Sequence, residues 1–139
     1  MRKIIIASHH KMASGIKDTL EFIAGEQQNV MAIDAYLDNI PLDDTLKTIF
    51  QEKNDDDEIV VLTDLKAGSV NQGFIKYLGQ QHVHLLSGMN LPLALSIAIA
   101  PTNQYLDDQT IQHYIDESKN EIIYMNTVLA DMEVDDDDE

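Results

Sequence analysis

The sequence predicts an α/β protein, a three-layer α/β/α sandwich on a doubly wound, mostly parallel sheet of four strands. Strand-like and helix-like segments alternate four times between residues 3 and 100, the order of a parallel sheet with crossover helices. Two of the strand-like runs, 3–8 (KIIIAS) and 58–64 (EIVVLTD), are continuously apolar between polar ends, as strands covered on both faces are. The helix-like segments repeat apolar residues at helical spacing, so each has one face with which to cover the sheet.

The run 3–8 predicts a central first strand. After Ser8, His9 and His10, the residues Ile16, Leu20, Ile23 and Ala24 fall on one helical stripe, and Gly25 is a natural stop. Residues 30–35 (VMAIDA) read as the second strand. Beyond Pro41, the set Leu42, Leu46, Ile49 and Phe50 repeats the stripe, with Asp43 and Asp44 in the first turn where the helix dipole favours negative charge. NDDDE, 54–58, is a solvated turn that leads into the third strand, 58–64. Ala67-Gly68-Ser69 interrupts the pattern before Val70, Phe74, Tyr77 and Leu78 restore a helical stripe up to Gly79. A fourth strand, 82–86 (HVHLL), is followed by SGMN and a Pro-initiated helix over 91–100. Past Asp107 a helix is expected to about Asn120, and 121–126 (EIIYMN) either extends it or forms a last strand. No internal repeat or Pro/Gly/Ser-rich linker divides the chain, so 1–128 is expected to be a single domain. The acidic end, 129–139, is expected to be disordered.

Charge and composition remove several function classes. The 139 residues carry a formal net charge of −16, and much of the acid sits in the closing DMEVDDDDE, yet the rest of the chain is acidic as well. Binding to nucleic acid or an anionic membrane relies on Lys and Arg displacing counterions, so neither is expected as the main partner. Protein partners with basic faces fit better. With no cysteine there is no disulfide framework, Cys-ligated zinc or thiol nucleophile. The apolar run 91–100 is about half of the roughly 20 residues that span a bilayer. The basic start MRKIIIA is cut short by His9 and His10, which makes it a poor secretory signal. A cytoplasmic protein with no direct membrane insertion is the expectation.

Ligand sites in open parallel sheets gather beyond the carboxyl ends of the strands, where strand order reverses. Those ends carry Ser8, His9 and His10; Asp64 with Gly68 and Ser69; and Ser87, Gly88, Met89 and Asn90; the second strand offers Asp34 and Asp38. A neutral imidazole can attack with one nitrogen while the other keeps its hydrogen, and a carboxylate accepting that hydrogen fixes the tautomer and stabilises the charge that develops. His9 is the candidate nucleophile and Asp64 the candidate carboxylate, both at strand ends. Gly68 and Ser69, opening a helix, are candidates for binding phosphate oxygens through their amides. Ser8, His10, Ser87 and Asn90 are further candidates for lining the site. A Ser8–His9–Asp64 hydrolase triad is disfavoured, because adjacent residues on a strand point to opposite faces. His82 and His84 share a strand face but have no third ligand nearby, so no metal site is expected, and His113 on an amphipathic helix reads as surface or core. The chain lacks GxxxxGK[ST], GxGxxG after the first strand, and GxSxG, which disfavours a nucleotide-hydrolysing loop, a dinucleotide site and an esterase elbow.

The stretch IIIASHHKMASGIKDTLEFIAGEQQNVMAID resembles the opening of the IIA domain of the mannose-type family (mannose, fructose, sorbose) of the bacterial phosphoenolpyruvate-dependent sugar phosphotransferase system. LTDLKAGS resembles that family's Asp-x-x-x-Gly-Ser loop, and SGMNLPL its Gly-x-Asn-Leu/Ile-Pro segment, so the likeness spans about residues 3–100 in order and spacing. The resemblance implies that His9 accepts a phosphoryl group from the histidine-containing phosphocarrier protein and passes it to the IIB component, with Asp64 orienting the histidine and no cofactor needed. It also implies a homodimer with a C-terminal antiparallel strand exchanged between subunits, for which 121–126 is the candidate. Two positions depart from the family: His10 stands where Gly is usual, and the loop after Asp64 lacks a second Gly and a Pro. The phosphotransfer subunit of dihydroxyacetone kinase shares the strand-His opening and the Asp loop, and a flavodoxin-like binding module is the rival outside phosphotransfer. GEQQNVMAID and GMNLP favour the sugar branch, and a receiver would need acids where Ser8, His9 and His10 stand.

Overall fold

A computed structural model describes residues 1–137. In chain order the elements are β1 (Arg2–His9), α1 (Met12–Ala24), β2 (Val30–Ala35), α2 (Leu42–Gln51), β3 (Glu58–Thr63), α3 (Ser69–Ile75), β4 (Val83–Leu86), α4 (Leu91–Ile99), α5 (Asp108–Lys119) and α6 (Met125–Asp137). The four strands form one parallel sheet in the order β2-β1-β3-β4. Chain order therefore runs outward to β2, returns across β1 to β3 and continues to β4, which puts the reversal between the carboxyl ends of β1 and β3.

Alternation along β1 and β3 divides the core into two. Ile4, Ile6, Val60 and Leu62 face α1, α4 and α5, where they meet Ala13, Leu20, Leu93, Ala94, Ile97 and Ile111. Ile5, Ala7, Ile59 and Val61 face the other way, against Leu46 and Phe50 of α2 and Val70 and Phe74 of α3. Because both faces are covered, β1 and β3 need apolar residues at every interior position, which is why they read as unbroken runs.

Several expectations shift at the ends of elements. Ile23 is exposed although it lies on the expected α1 stripe, and its neighbour Phe22 is more exposed still. Within that last turn Ala24 is still partly buried, so the stripe narrows to the Leu20–Ala24 side of the helix. The helix expected up to Gly79 ends at Ile75, since Tyr77 and Leu78 donate to the carbonyls of Phe74 and Ile75 in i→i−3 turns instead of continuing the α pattern. Tyr77 is still partly buried, stacked 4.0 Å from Phe50, whereas Leu78 is exposed. Among the described residues there is no fifth strand: 121–124 is irregular chain between α5 and α6, because within a single chain the segment meets no free strand edge. The expected disordered tail overlaps α6, whose backbone is helical to Asp137; Leu129, Ala130 and Met132 are good helix formers that sustain local hydrogen bonding. Residues 138–139 of that tail lie outside the described residues.

The amino end of the sheet is closed by a buried ion pair that looks in sequence like a solvated basic start. The Arg2 Nε–H donates to Glu58 Oε1 at 2.5 Å, and the guanidinium also donates to the carbonyls of Ala100, Pro101 and Gln104. Glu58 Oε2 accepts from the Leu106 amide at 2.7 Å. Arg2 is 6% and Glu58 2% exposed, so both charges are compensated away from water and pin the α4–α5 connection to β1 and β3.

Candidate functional site

His9 is the last residue of β1, at the point where strand order reverses, and Asp64 directly follows β3 beside it. His9 Nδ1 lies 2.8 Å from Asp64 Oδ2, and the His9 backbone N–H donates to the same oxygen at 2.9 Å. Asp64 Oδ1 accepts from the Leu65 amide. Burial opposes ionisation of Asp64, but the hydrogen bonds from the His9 ring, the His9 amide and the Leu65 amide together hold its carboxyl below its ordinary value. An ionised carboxylate only accepts, so in the neutral ring Nδ1 carries the hydrogen and Nε2 keeps its lone pair. The His9 side chain is 37% exposed, which leaves the ring open to a partner.

The other candidates fall into two groups. Ser69, first residue of α3, sets its hydroxyl 3.3 Å from His9 Nε2. Gly68 precedes it, but its amide already donates to the Leu65 carbonyl, so that amide is engaged within the loop. Its contribution is spatial: a Cβ there would sit 3.0 Å from His9 Cε1 and 3.2 Å from Leu65 Cβ. Glycine lets the loop close against the imidazole.

Ser8, expected to line the site, is fully buried. Its hydroxyl accepts from the Ala13 amide at 2.7 Å and donates to the His10 carbonyl at 3.1 Å, bracing the turn between β1 and α1. Asn90 is the N-cap of α4, accepting from the Leu93 amide, and Ser87 is exposed; neither bonds His9, Asp64 or Ser69 among the described residues. Asp34 accepts from the amide and hydroxyl of Ser14, tying β2 to the start of α1, and Asp38 accepts from the Ile40 amide within its loop. His82 stacks on Tyr105 with centroids 3.6 Å apart, while His84 Nε2 lies 3.8 Å from Glu58 Oε2, so the two imidazoles serve different contacts.

His10 is exposed and has φ 58, the left-handed conformation, with its amide donating to the Ala35 carbonyl. A side chain there costs on the order of 1 kcal/mol that glycine avoids. His10→Gly is therefore expected to raise stability by about 0.5–1 kcal/mol, read as a higher urea midpoint at unchanged m-value. A midpoint that falls would show that the His10 side chain makes a stabilising contact.

Sequence reasoning missed Tyr36. It follows β2 with φ 70, its ring centroid lies 5.5 Å from that of His9, and its hydroxyl is 2.5 Å from Ser69 Oγ. An aromatic residue immediately beyond a strand end was the available signal, but only the left-handed turn brings it over the imidazole.

These features define a class: a doubly wound α/β protein that presents one carboxylate-oriented histidine at its switch point. The chain belongs to the family of PTS system fructose IIA components, which matches it over residues 3–110. That is the mannose-type IIA family of the sugar phosphotransferase system, and it places the protein in phosphoryl transfer during sugar uptake. A solved Klebsiella pneumoniae protein described as a candidate phosphoenolpyruvate-dependent sugar phosphotransferase system permease is 34% identical, with 92% of this chain and 93% of that one covered and a TM-score of 0.83. Phosphotransferase system component EIIA from Streptococcus agalactiae is 29% identical over 91% of this chain and 99% of its own, with a TM-score of 0.75. The mannose/sorbose specific IIA subunit from Enterococcus faecalis, 22% identical, covers 88% of this chain and 92% of its own at a TM-score of 0.76 and shares the fold. Among the described residues no helix is long and apolar enough to cross a membrane.

Proposed function

We propose that this protein is a cytoplasmic phosphoryl carrier in which His9 Nε2 receives a phosphoryl group from the histidine-containing phosphocarrier protein and hands it to the IIB component. The observation that supports this reading is the His9–Asp64 contact, which in the neutral ring puts the hydrogen on Nδ1 and leaves the Nε2 lone pair for attack. In the forward step the Nε2 lone pair forms a bond to phosphorus as the nitrogen–phosphorus bond of the donor breaks, and that electron pair returns to the donor's imidazole. The His9 ring becomes positively charged, and the Asp64 carboxylate on Nδ1–H stabilises it. Ser69 is placed for its hydroxyl to donate to a phosphoryl oxygen, and Gly68 leaves the ring room. No covalent machinery beyond this is needed, since phosphoryl transfer depends chiefly on positioning and charge stabilisation.

The test is incubation with phosphoenolpyruvate, enzyme I and the phosphocarrier, followed by mass-spectrometric mapping of the adduct. An acid-labile, base-stable group on His9 is expected. No adduct, or one mapped to His10 or another residue, would overturn the assignment.

We further propose a homodimer in which 121–126 adds as a strand to the partner's sheet. The outer edge of β4 is unpaired among the described residues, and Ile122, Ile123, Tyr124 and Met125 are all exposed in the single chain. An open edge beside an uncovered apolar segment is an arrangement that strand addition resolves. A chain lacking 121–139 is expected to sediment as a monomer where the full chain sediments as a dimer; an unaltered dimer would reject the exchange.

A further inference from the structure

We infer that Tyr36 is a positioning residue for transfer at His9: its hydroxyl donates to Ser69 Oγ and so commits the single Ser69 proton to Nε2 and, after transfer, to the phosphoryl oxygens. This rests on reading His9 as the phosphoryl acceptor. The proton assignments follow one from another. Asp64 accepts, so in the neutral ring, the form that attacks, Nδ1 donates and Nε2 has only a lone pair. Ser69 Oγ, 3.3 Å from Nε2, must therefore be the donor of that contact. Its proton is then used, so in the 2.5 Å contact with Tyr36 the phenol is the donor and Ser69 the acceptor. Without Tyr36 the Ser69 hydroxyl could turn its proton to solvent, because Ser69 is exposed.

The backbone supports the same role. Tyr36 adopts φ 70, which costs a non-glycine residue on the order of 1–2 kcal/mol, and it is 59% exposed, so core packing does not offset that strain. With that turn the Tyr36 ring lies tilted beside the His9 ring, centroids 5.5 Å apart, and its polar contact there is with Ser69. Strained conformations that persist without burial are characteristic of functional positions.

When the phosphoryl group arrives, Nε2 no longer accepts. The Ser69 proton then has a phosphoryl oxygen as its nearest acceptor, and Tyr36 continues to hold the oxygen that bears it. The same relay thus serves the free and the phosphorylated ring, and loss of one neutral hydrogen bond in it should slow transfer by about three- to tenfold.

The test compares wild type, Tyr36→Phe, Ser69→Ala and the double variant. Tyr36→Phe keeps the ring and the backbone turn. In the unphosphorylated protein, the nitrogen-15 resonance of His9 Nε2, which responds to an accepted hydrogen bond, is expected to move in Tyr36→Phe in the same direction as in Ser69→Ala. In single-turnover transfer, Tyr36→Phe should lower the maximal rate about three- to tenfold with KM for the phosphocarrier unchanged, and should have no further effect in the Ser69→Ala background. An unmoved resonance, or effects on rate that multiply independently, would overturn the relay. If wild type takes no phosphoryl group on His9, the carrier reading fails, and the nitrogen resonance alone decides whether Tyr36 orders Ser69.

Discussion

His9→Ala is expected to take up no phosphoryl group, and Asp64→Asn to take it up about 10²–10⁴ times more slowly than wild type with its fold intact. Asparagine fills the same space, but its amide is free to donate to Nδ1 as well as to accept from it. Donation would put the hydrogen on Nε2 and remove the lone pair that attacks. Even in the correct tautomer, a neutral amide stabilises the developing imidazolium far less than a carboxylate does. The measurement is the rate of transfer from the labelled phosphocarrier, with circular dichroism as the check on folding. A rate within a factor of about three of wild type would remove the orienting role from Asp64.

The same substitution should change the response to acid. Because the Asp64 carboxyl is held below its ordinary value in the folded chain, its contribution to stability is present above the unfolded carboxyl pKa and is lost as pH falls through the folded one. Asp64→Asn is expected to be less stable than wild type at neutral pH and to converge with it in acid.

Arg2→Ala is expected to destabilise the fold by about 3–5 kcal/mol, because it leaves the Glu58 charge buried without its partner and three carbonyls without their donor. Of its side-chain hydrogen bonds Glu58 would keep that from the Leu106 amide, with His84 Nε2 3.8 Å away. The double replacement Arg2→Met with Glu58→Gln removes both charges together and is expected to be less destabilised than Arg2→Ala alone. Urea unfolding measures both. A loss below about 1 kcal/mol in Arg2→Ala would mean that the pair behaves like an exposed one. Arg2 begins the strand that His9 ends, roughly 23 Å away at the usual rise per residue, so transfer in the folded fraction should be unchanged.

The strands β1 and β3 were legible because burial on both faces leaves its mark on each consecutive residue, and β2 and α2 because their apolar spacing matches the local period. His9 and Asp64 were legible for a related reason: a doubly wound sheet gathers strand ends, so a histidine closing one run and an acid closing another are candidates for contact before any coordinate is known. Ser8 and Gly68 stand in the same motifs, yet the structure gives each a contact that the motif does not indicate. Their type and place suggested the site, whereas their roles depend on whether a hydroxyl or an amide is already bonded elsewhere, and that is settled by the path of the loop. Tyr36 and the Arg2–Glu58 pair left no periodic trace at all.

By itself, then, the sequence determined what depends on near neighbours: the order and kind of elements, the two-faced core and which two strand-end groups, His9 and Asp64, come into contact. Tertiary structure decided which stripe residues stay exposed, that the Gly68 amide is already taken, that Ser8 braces a turn, and that Tyr36 reaches Ser69 across 33 residues. Those outcomes rest on single hydrogen bonds and left-handed turns between distant parts of the chain, where one dihedral angle redirects a side chain and no local pattern records the choice.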